Sequence, residues 1–180
     1  MNPVNTLIGK HVNLRVFQIE DYSKLKQIKP SSEFFHFVGE NETDSKFNSE
    51  GKQFTSLKEV DRNPNYWFIL LNDEIIGNAF FHDFNMAKQS AKIAIGIFEK
   101  QNWGKSLETE SLLLLVNHGF NNLNLETIYH TVLEYNVRAI KCYEKCGFKQ
   151  ISRIAASYCI DGKCFDDIIM SLDKLEYQKI

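Results

Sequence analysis

Two apolar-rich runs, over residues 66–71 and 75–81, and an alternating segment up to Ile97 follow one another, and the pattern then switches to the period of a helix. Residues 66–71 and 75–81 are separated only by Asn72-Asp73-Glu74, a connection that demands a β-hairpin. Ala91, Ile93, Ile95 and Ile97 alternate along a third strand, which stops at Glu99-Lys100. Gly104 opens a helix of about four turns. It is dense in Leu107, Leu112, Leu113, Leu114, Leu115, Val116 and Phe120, an apolar surface wide enough to be buried on more than one side.

The flanking segments extend this pattern. Val12, Leu14 and Val16 alternate as a half-buried first strand, and Asp21 is placed to cap a helix carrying Tyr22, Leu25 and Ile28. Pro30-Ser-Ser ends that helix. Phe47, Phe54, Leu57 and Asp61 fit a helical spacing, weakened by Gly51. Residues 127–133 read as another strand, followed by a short helix over 137–146 that Gly147 terminates in a left-handed conformation. Residues 148–160 and 164–172 form a closing hairpin around Asp161-Gly162. The order β-α-α-β-β-β-α-β-α-β-β predicts an α/β (α+β) domain: a mixed, mostly antiparallel sheet of about seven strands with helices on both faces.

The 180 residues, 43% hydrophobic with 14 Phe, suit one domain with a real core. Within it, residues 1–65 form the first strand and two helices, 66–150 the central unit and 151–180 the final hairpin. A net charge of −2 and the lack of a basic run argue against nucleic acid and membrane surfaces as partners. No apolar run spans a bilayer, and the N-terminus lacks a secretory pattern, so a cytoplasmic location is expected. Four cysteines do not make a disulfide scaffold; free, buried thiols are expected. Cys142 and Cys146 are four apart on a helix and Cys159 and Cys164 flank the last turn, without the close spacing of a zinc knuckle, so no metal is expected. Monomer and homodimer are both compatible with the sequence.

Gln101-Asn-Trp-Gly-Lys-Ser106 lies where a strand ends and a helix begins. The first N–H groups of a helix have no internal partner and carry partial positive charge, so a diphosphate fits there without a metal. Gly104 lets the backbone approach such a ligand, and Lys105 adds a charge. Gly104-Lys105-Ser106 also ends like a P-loop, but that motif needs glycine at position 99, which is Glu99. A nucleotide hydrolase is therefore a poor fit.

The second signature is Asn136-Val-Arg-Ala-Ile-Lys-Cys-Tyr-Glu-Lys-Cys-Gly-Phe148. It resembles, together with Gln101, Gly104 and Lys105, the cofactor half of GNAT-superfamily N-acetyltransferases. Trp103-Gly104-Lys105, Thr109-Glu110, the run Asn136, Ala139, Tyr143, Glu144, Lys145, Gly147 and Phe148, and the opening Gly9 to Arg15 with Asp21 are similar to its ribosomal-protein acetyltransferase branch. Ser106 departs from the small Gly or Ala usual there but keeps the turn.

The resemblance implies an acetyl-coenzyme A cosubstrate in a V-shaped split between the two central strands. Its pantetheine arm would pair with the backbone of Ile95, Ile97 and Phe98, and its diphosphate would rest on Gln101, Asn102, Trp103, Gly104, Lys105 and Ser106. Asn136 and Ala139 would form the other wall. Tyr143 would be catalytic, supporting the departing thiolate. A phenol near 10 and a thiol near 8.5 make full proton transfer uphill by about 2 kcal/mol, so a hydrogen bond that strengthens as charge grows is the economical picture. Relatives often carry a carboxylate base where Ala94 stands. Without it, an acceptor of low basicity is expected. At pH 7 roughly 17% of an α-amine is neutral against about 0.04% of a lysine-like amine, a difference of about 3.6 kcal/mol. A protein N-terminus or an amino sugar meets that requirement. Phe34, Phe35 and His82 are candidate acceptor contacts, and His130, mid-strand, is read as structural. A non-catalytic acyl-coenzyme A-binding module is the alternative function.

Overall fold

The computed structural model describes residues 5–38, 63–160 and 162–179. The helical spacing around Phe47, Phe54, Leu57 and Asp61, and the Asp161 half of the last turn, lie outside the described residues. The elements are β1 (Thr6–Ile8), β2 (Asn13–Arg15), α1 (Asp21–Leu25), α2 (Ser32–Val38), β3 (Tyr66–Leu71), β4 (Glu74–Asn85) and β5 (Ser90–Ile97). They continue with α3 (Leu107–Asn121), β6 (Thr127–Leu133), α4 (Val137–Lys145), β7 (Lys149–Ile160), β8 (Lys163–Asp173) and α5 (Lys174–Tyr177).

One eight-stranded sheet runs in the order β1-β2-β3-β4-β5-β6-β8-β7. The strand beyond the expected seven is β1, paired to β2 through Leu7 and Leu14. The β3–β4 turn places Asn72 (φ 49°) and Asp73 (φ 64°) in the left-handed region, the geometry that matches the twist of a tight hairpin. Alternate residues of β3 serve opposite faces. Trp67 and Ile69 join the core under α3 and α4, with Phe81, Leu112, Leu115, Phe120 and Ile128. Phe68 and Leu70 join Phe34, Phe35, Ile75 and Phe98 under α2. Gly119 lets α3 sit against the sheet; a Cβ there would lie 2.8 Å from Phe81 Cζ and 2.9 Å from Ile128 Cδ1.

Among the described residues every strand pairing but one is antiparallel. The exception, β5 with β6, lies inside the sheet and extends over only Ser90↔Thr127, Ala91↔Ile128 and Lys92↔Tyr129. Beyond Lys92 the two strands diverge. At the fork His130 Nδ1 donates to the Ile93 carbonyl at 2.8 Å, so a side chain takes the acceptor that a neighbouring strand would have used.

Asp21 does not cap α1. It is the helix's first residue, and its carboxylate turns back to clamp the Arg15 guanidinium at 2.8 and 3.0 Å and to accept the Gln18 N–H at 2.9 Å. A charge that is 3% exposed requires such partners. The thiol expectation also needs correction. The hairpin register sets Cys159 opposite Cys164, and these exposed residues form a disulfide; Cys142 and Cys146 are free and buried. Among the described residues no helix is long and apolar enough to cross a membrane.

Candidate active site

The divergence of β5 and β6 opens a cleft of about 310 Å³. Ala94, Ile95, Gly96 and Ile97 form one wall, and His130, Thr131, Val132 and Leu133 the other. Asn136, Arg138, Ala139 and Tyr143 enter from α4, Phe34, Phe37 and Val38 from α2, and Asp167 from β8. Since α2 and α4 lie on opposite faces of the sheet, the cleft passes through it. A second hollow of about 190 Å³ shares Ile97, Trp103, Glu108 and Arg138 with the first. It opens at Asn102, Gly104 and Ser106, beside Lys141, Cys142 and Lys145.

The loop at this mouth is shaped by two left-handed residues, Gly104 (φ 72°) and Ser106 (φ 63°). A single 3₁₀ turn over Lys100–Asn102 precedes them, so α3 begins at Leu107, later than the glycine suggested. Ser106 stands at the N-cap without capping: its side chain makes no hydrogen bond to the helix end. The first amides of α3 are thus left for an acceptor from outside. Arg138, Lys141 and Lys145 repeat along one face of α4 and turn positive charge toward this opening. Sequence reasoning missed them, although their spacing was a visible signal.

The other wall is held by α4. Asn136 caps it, accepting the Ala139 N–H at 3.2 Å, and donates to the Phe37 carbonyl at 3.5 Å. Gly147 (φ 92°) ends it, with the Phe148 N–H reaching back to the Tyr143 carbonyl at 3.0 Å. Tyr143 is 1% exposed, stacked on His130 with ring centres 4.0 Å apart and edge-on to Phe148 at 5.5 Å. Burial pushes its phenol well above the ordinary range, with the charge of Glu108 adding to the effect. The hydroxyl is therefore neutral, a proton donor at physiological pH. Burial pulls His130 down to about 4, so it is neutral too; its bond to the Ile93 carbonyl fixes the proton on Nδ1. His130 is structural, as read from sequence, but at the heart of the cleft.

Two carboxylates in the cleft had no sequence signal. Glu108, in the first turn of α3, borders both hollows; burial raises its carboxyl above the usual range, opposed by the charge of Arg138. Arg138 lies flat over Trp103, 3.8 Å from the ring centre, with Phe37 at 5.5 Å. Its buried Nε and Nη1 lack a hydrogen-bond partner among the described residues. Asp167 borders the cleft on the α2 side.

Several expected contacts are not brought into the cleft. Phe98 is buried in the α2 core, its N–H donating to the Ile76 carbonyl at 2.9 Å and its carbonyl accepting the Ser31 N–H at 3.2 Å. Its backbone is already engaged and cannot pair with an added chain. Gln101 turns to Glu99 and borders a hollow on the far side of the loop, while exposed Lys105 lines neither part of the cleft. Phe35 is core, unlike Phe34. His82 lies outside the cleft, its Nδ1 3.4 Å from Asp83. Ile97 lines the wall, but its carbonyl is occupied by the Trp103 indole N–H at 2.8 Å. No group of three or more metal-ligating side chains occurs among the described residues.

A mostly antiparallel sheet forked at a parallel pair, with an uncapped helix end at one mouth and a neutral phenol in the wall, is an arrangement suited to an acyl-coenzyme A-type transferase. Residues 11–149 match the acetyltransferase (GNAT) domain, and the chain belongs to that family. It is an N-acetyltransferase that uses acetyl-coenzyme A as cosubstrate. It is 25% identical to an uncharacterised N-acetyltransferase of Bacillus licheniformis over 97% of this chain and 99% of that protein. It is 23% identical to spermidine N(1)-acetyltransferase of Escherichia coli K12, over 92% and 88% of the two chains. Among solved structures, Vibrio cholerae spermidine N-acetyltransferase in complex with CoA and spermine superposes with a TM-score of 0.77 at 21% identity, covering 93% of this chain and 98% of that one.

Proposed function

We propose that the protein, as one domain over residues 1–180, transfers acetyl directly from the coenzyme A thioester to a primary amine of low basicity. A protein α-amine, as in the ribosomal-protein branch, or an amino sugar fits this description. The observation that carries the reading is the through-sheet cleft, which gives thioester and amine access from opposite faces.

In this reading the diphosphate takes the free amides at the start of α3, near Lys141 and Lys145, while the pantetheine arm runs past Ile95 and Ile97 toward Ala139 and Asn136. The neutral amine attacks the carbonyl carbon, and a backbone N–H of β5 faces the oxyanion. The extra proton on nitrogen passes to water, the C–S bond breaks as the tetrahedral intermediate collapses, and the departing thiolate accepts a hydrogen bond from the Tyr143 hydroxyl. The raised pKa of that phenol disfavours complete transfer and favours this shared proton. Ala94 lines the β5 wall without a carboxylate, which keeps the argument for a weakly basic acceptor.

A free-thiol release screen at pH 7 over α-amino peptides, amino sugars and lysine-type alkylamines tests the proposal. Faster turnover of α-amines or amino sugars is expected, and exclusive use of simple alkylamines overturns it. Cofactor binding without thiol release by any amine identifies the non-catalytic module instead.

A further inference from the structure

We propose that Asp167 is the acceptor-recognition residue, holding an ammonium group of the acceptor other than the amine that is acetylated. This rests on the transferase reading above. Asp167 lies on β8 opposite Leu133, the last residue of β6, and lines the cleft on the α2 side, away from the Gly104 mouth. The neighbouring acids are already engaged: Arg153 bridges Glu134 and Asp166. The Asp167 side chain has no hydrogen-bond or ion-pair partner among the described residues. A half-buried carboxylate without such a partner, facing a cleft, offers its charge to a cation that enters.

The surroundings suit an organic cation. Phe34 and Phe37 line the same cleft. Tyr135 stands beside Phe37, its hydroxyl donating to the His36 carbonyl at 2.5 Å and its ring stacked on His36 and edge-on to Phe165. Aromatic faces attract an ammonium and displace the water that would screen it from the carboxylate. Burial first, then Tyr158 and Asp167, push the Tyr135 hydroxyl up to about 12, so it stays neutral and adds no competing negative charge. The acceptor class is therefore a compound with at least two amino groups. A second ammonium near the reacting amine also lowers that amine's pKa by like-charge repulsion, which agrees with the missing base on β5.

The test compares 1,3-diaminopropane with propylamine, probes that differ by one ammonium. Each is titrated into the coenzyme A-loaded protein by calorimetry, for the wild type, Asp167→Asn and Asp167→Glu. The wild type is expected to bind the diamine about tenfold more tightly than the monoamine, or about 1.4 kcal/mol. Asp167→Asn is expected to lose that preference, Asp167→Glu to retain part of it, and both to keep wild-type affinity for acetyl-coenzyme A. Equal discrimination by wild type and Asp167→Asn overturns the proposal, as does a wild type with no preference. If acetyl-coenzyme A itself does not bind, the transferase reading fails, while the amine titrations into the free protein still decide the role of Asp167.

Discussion

Tyr143 owes its position to α4, which carries it, to His130 of β6, which stacks on it, and to Phe148 just before β7, which closes its edge. Tyr143→Phe keeps this packing and removes only the hydroxyl. Turnover is expected to fall about a hundredfold, the usual scale for a lost proton donor, with acetyl-coenzyme A affinity within about twofold. Thiol-release kinetics and calorimetry on the same preparation separate the two effects. Glu108 makes the opposite prediction, because its charge borders the opening that a diphosphate must enter. Its raised pKa means the charge develops at a higher pH than on an ordinary carboxyl, so wild-type affinity for acetyl-coenzyme A falls as pH rises through that titration. Glu108→Gln is expected to flatten that dependence and to tighten binding about threefold where the wild-type carboxyl is ionised, for a like-charge repulsion of roughly 0.6 kcal/mol in a partly wet site. Calorimetry across a pH series reads both outcomes.

Between elements, the fork depends on His130 remaining neutral. Its pKa falls from 6.5 to about 4 on folding, so the unfolded chain binds the proton more readily. The stability this supplies is fully present above about pH 6.5 and is lost as pH falls toward 4, up to about 3 kcal/mol. Urea titrations across this range should show the loss, and His130→Phe should remove that part of the pH dependence. The α3–sheet contact is similarly sensitive. Gly119→Ala gains helix propensity, about 1 kcal/mol, but drives a methyl into Phe81 and Ile128. A net destabilisation of about 1–2 kcal/mol by thermal unfolding is expected, because close-packed side chains have little room to retreat. Apolar-rich or alternating segments bounded by turn residues were legible from sequence: β3 and β6 have the expected bounds, and β5 differs at its start by one residue. β1 was not, since three residues with one half-buried side chain carry no period. α2 was read only as a cluster of Phe, because those rings divide between core and cleft and blur the helical stripe.

For the molecule as a whole, the sequence exposed the parts of the site that are local and hid those that converge through topology. Gly104 and Tyr143 sit in compact motifs whose turns and caps can be read directly. Asp167 reaches the cleft only because β8 inserts between β6 and β7, and Glu108 faces Arg138 only because α3 and α4 pack on the same side of the sheet. Cys159 and Cys164 were misread for a related reason: their pairing follows from the hairpin register, which composition does not contain. The same topology predicts a response to ligand. If acetyl-coenzyme A touches both walls as proposed, it binds the folded chain alone, so a concentration about 100 times Kd should stabilise it by about 2.7 kcal/mol, measurable as a rise in Tm.

The sheet is, in effect, two leaves hinged at Ser90 to Lys92. With the notch empty, the Ile95 amide faces the open side of β5 and should exchange with deuterium readily, whereas Ala94 and Gly96 are registered against Phe80 and Asn78 of β4. If the thioester's arm lies along that edge as proposed, it acts as a clasp between the leaves, and protection at Ile95 should rise on loading. An enzyme loaded in this way is expected to stiffen across its middle and to loosen on discharge, which couples product departure to the flexing of its own backbone.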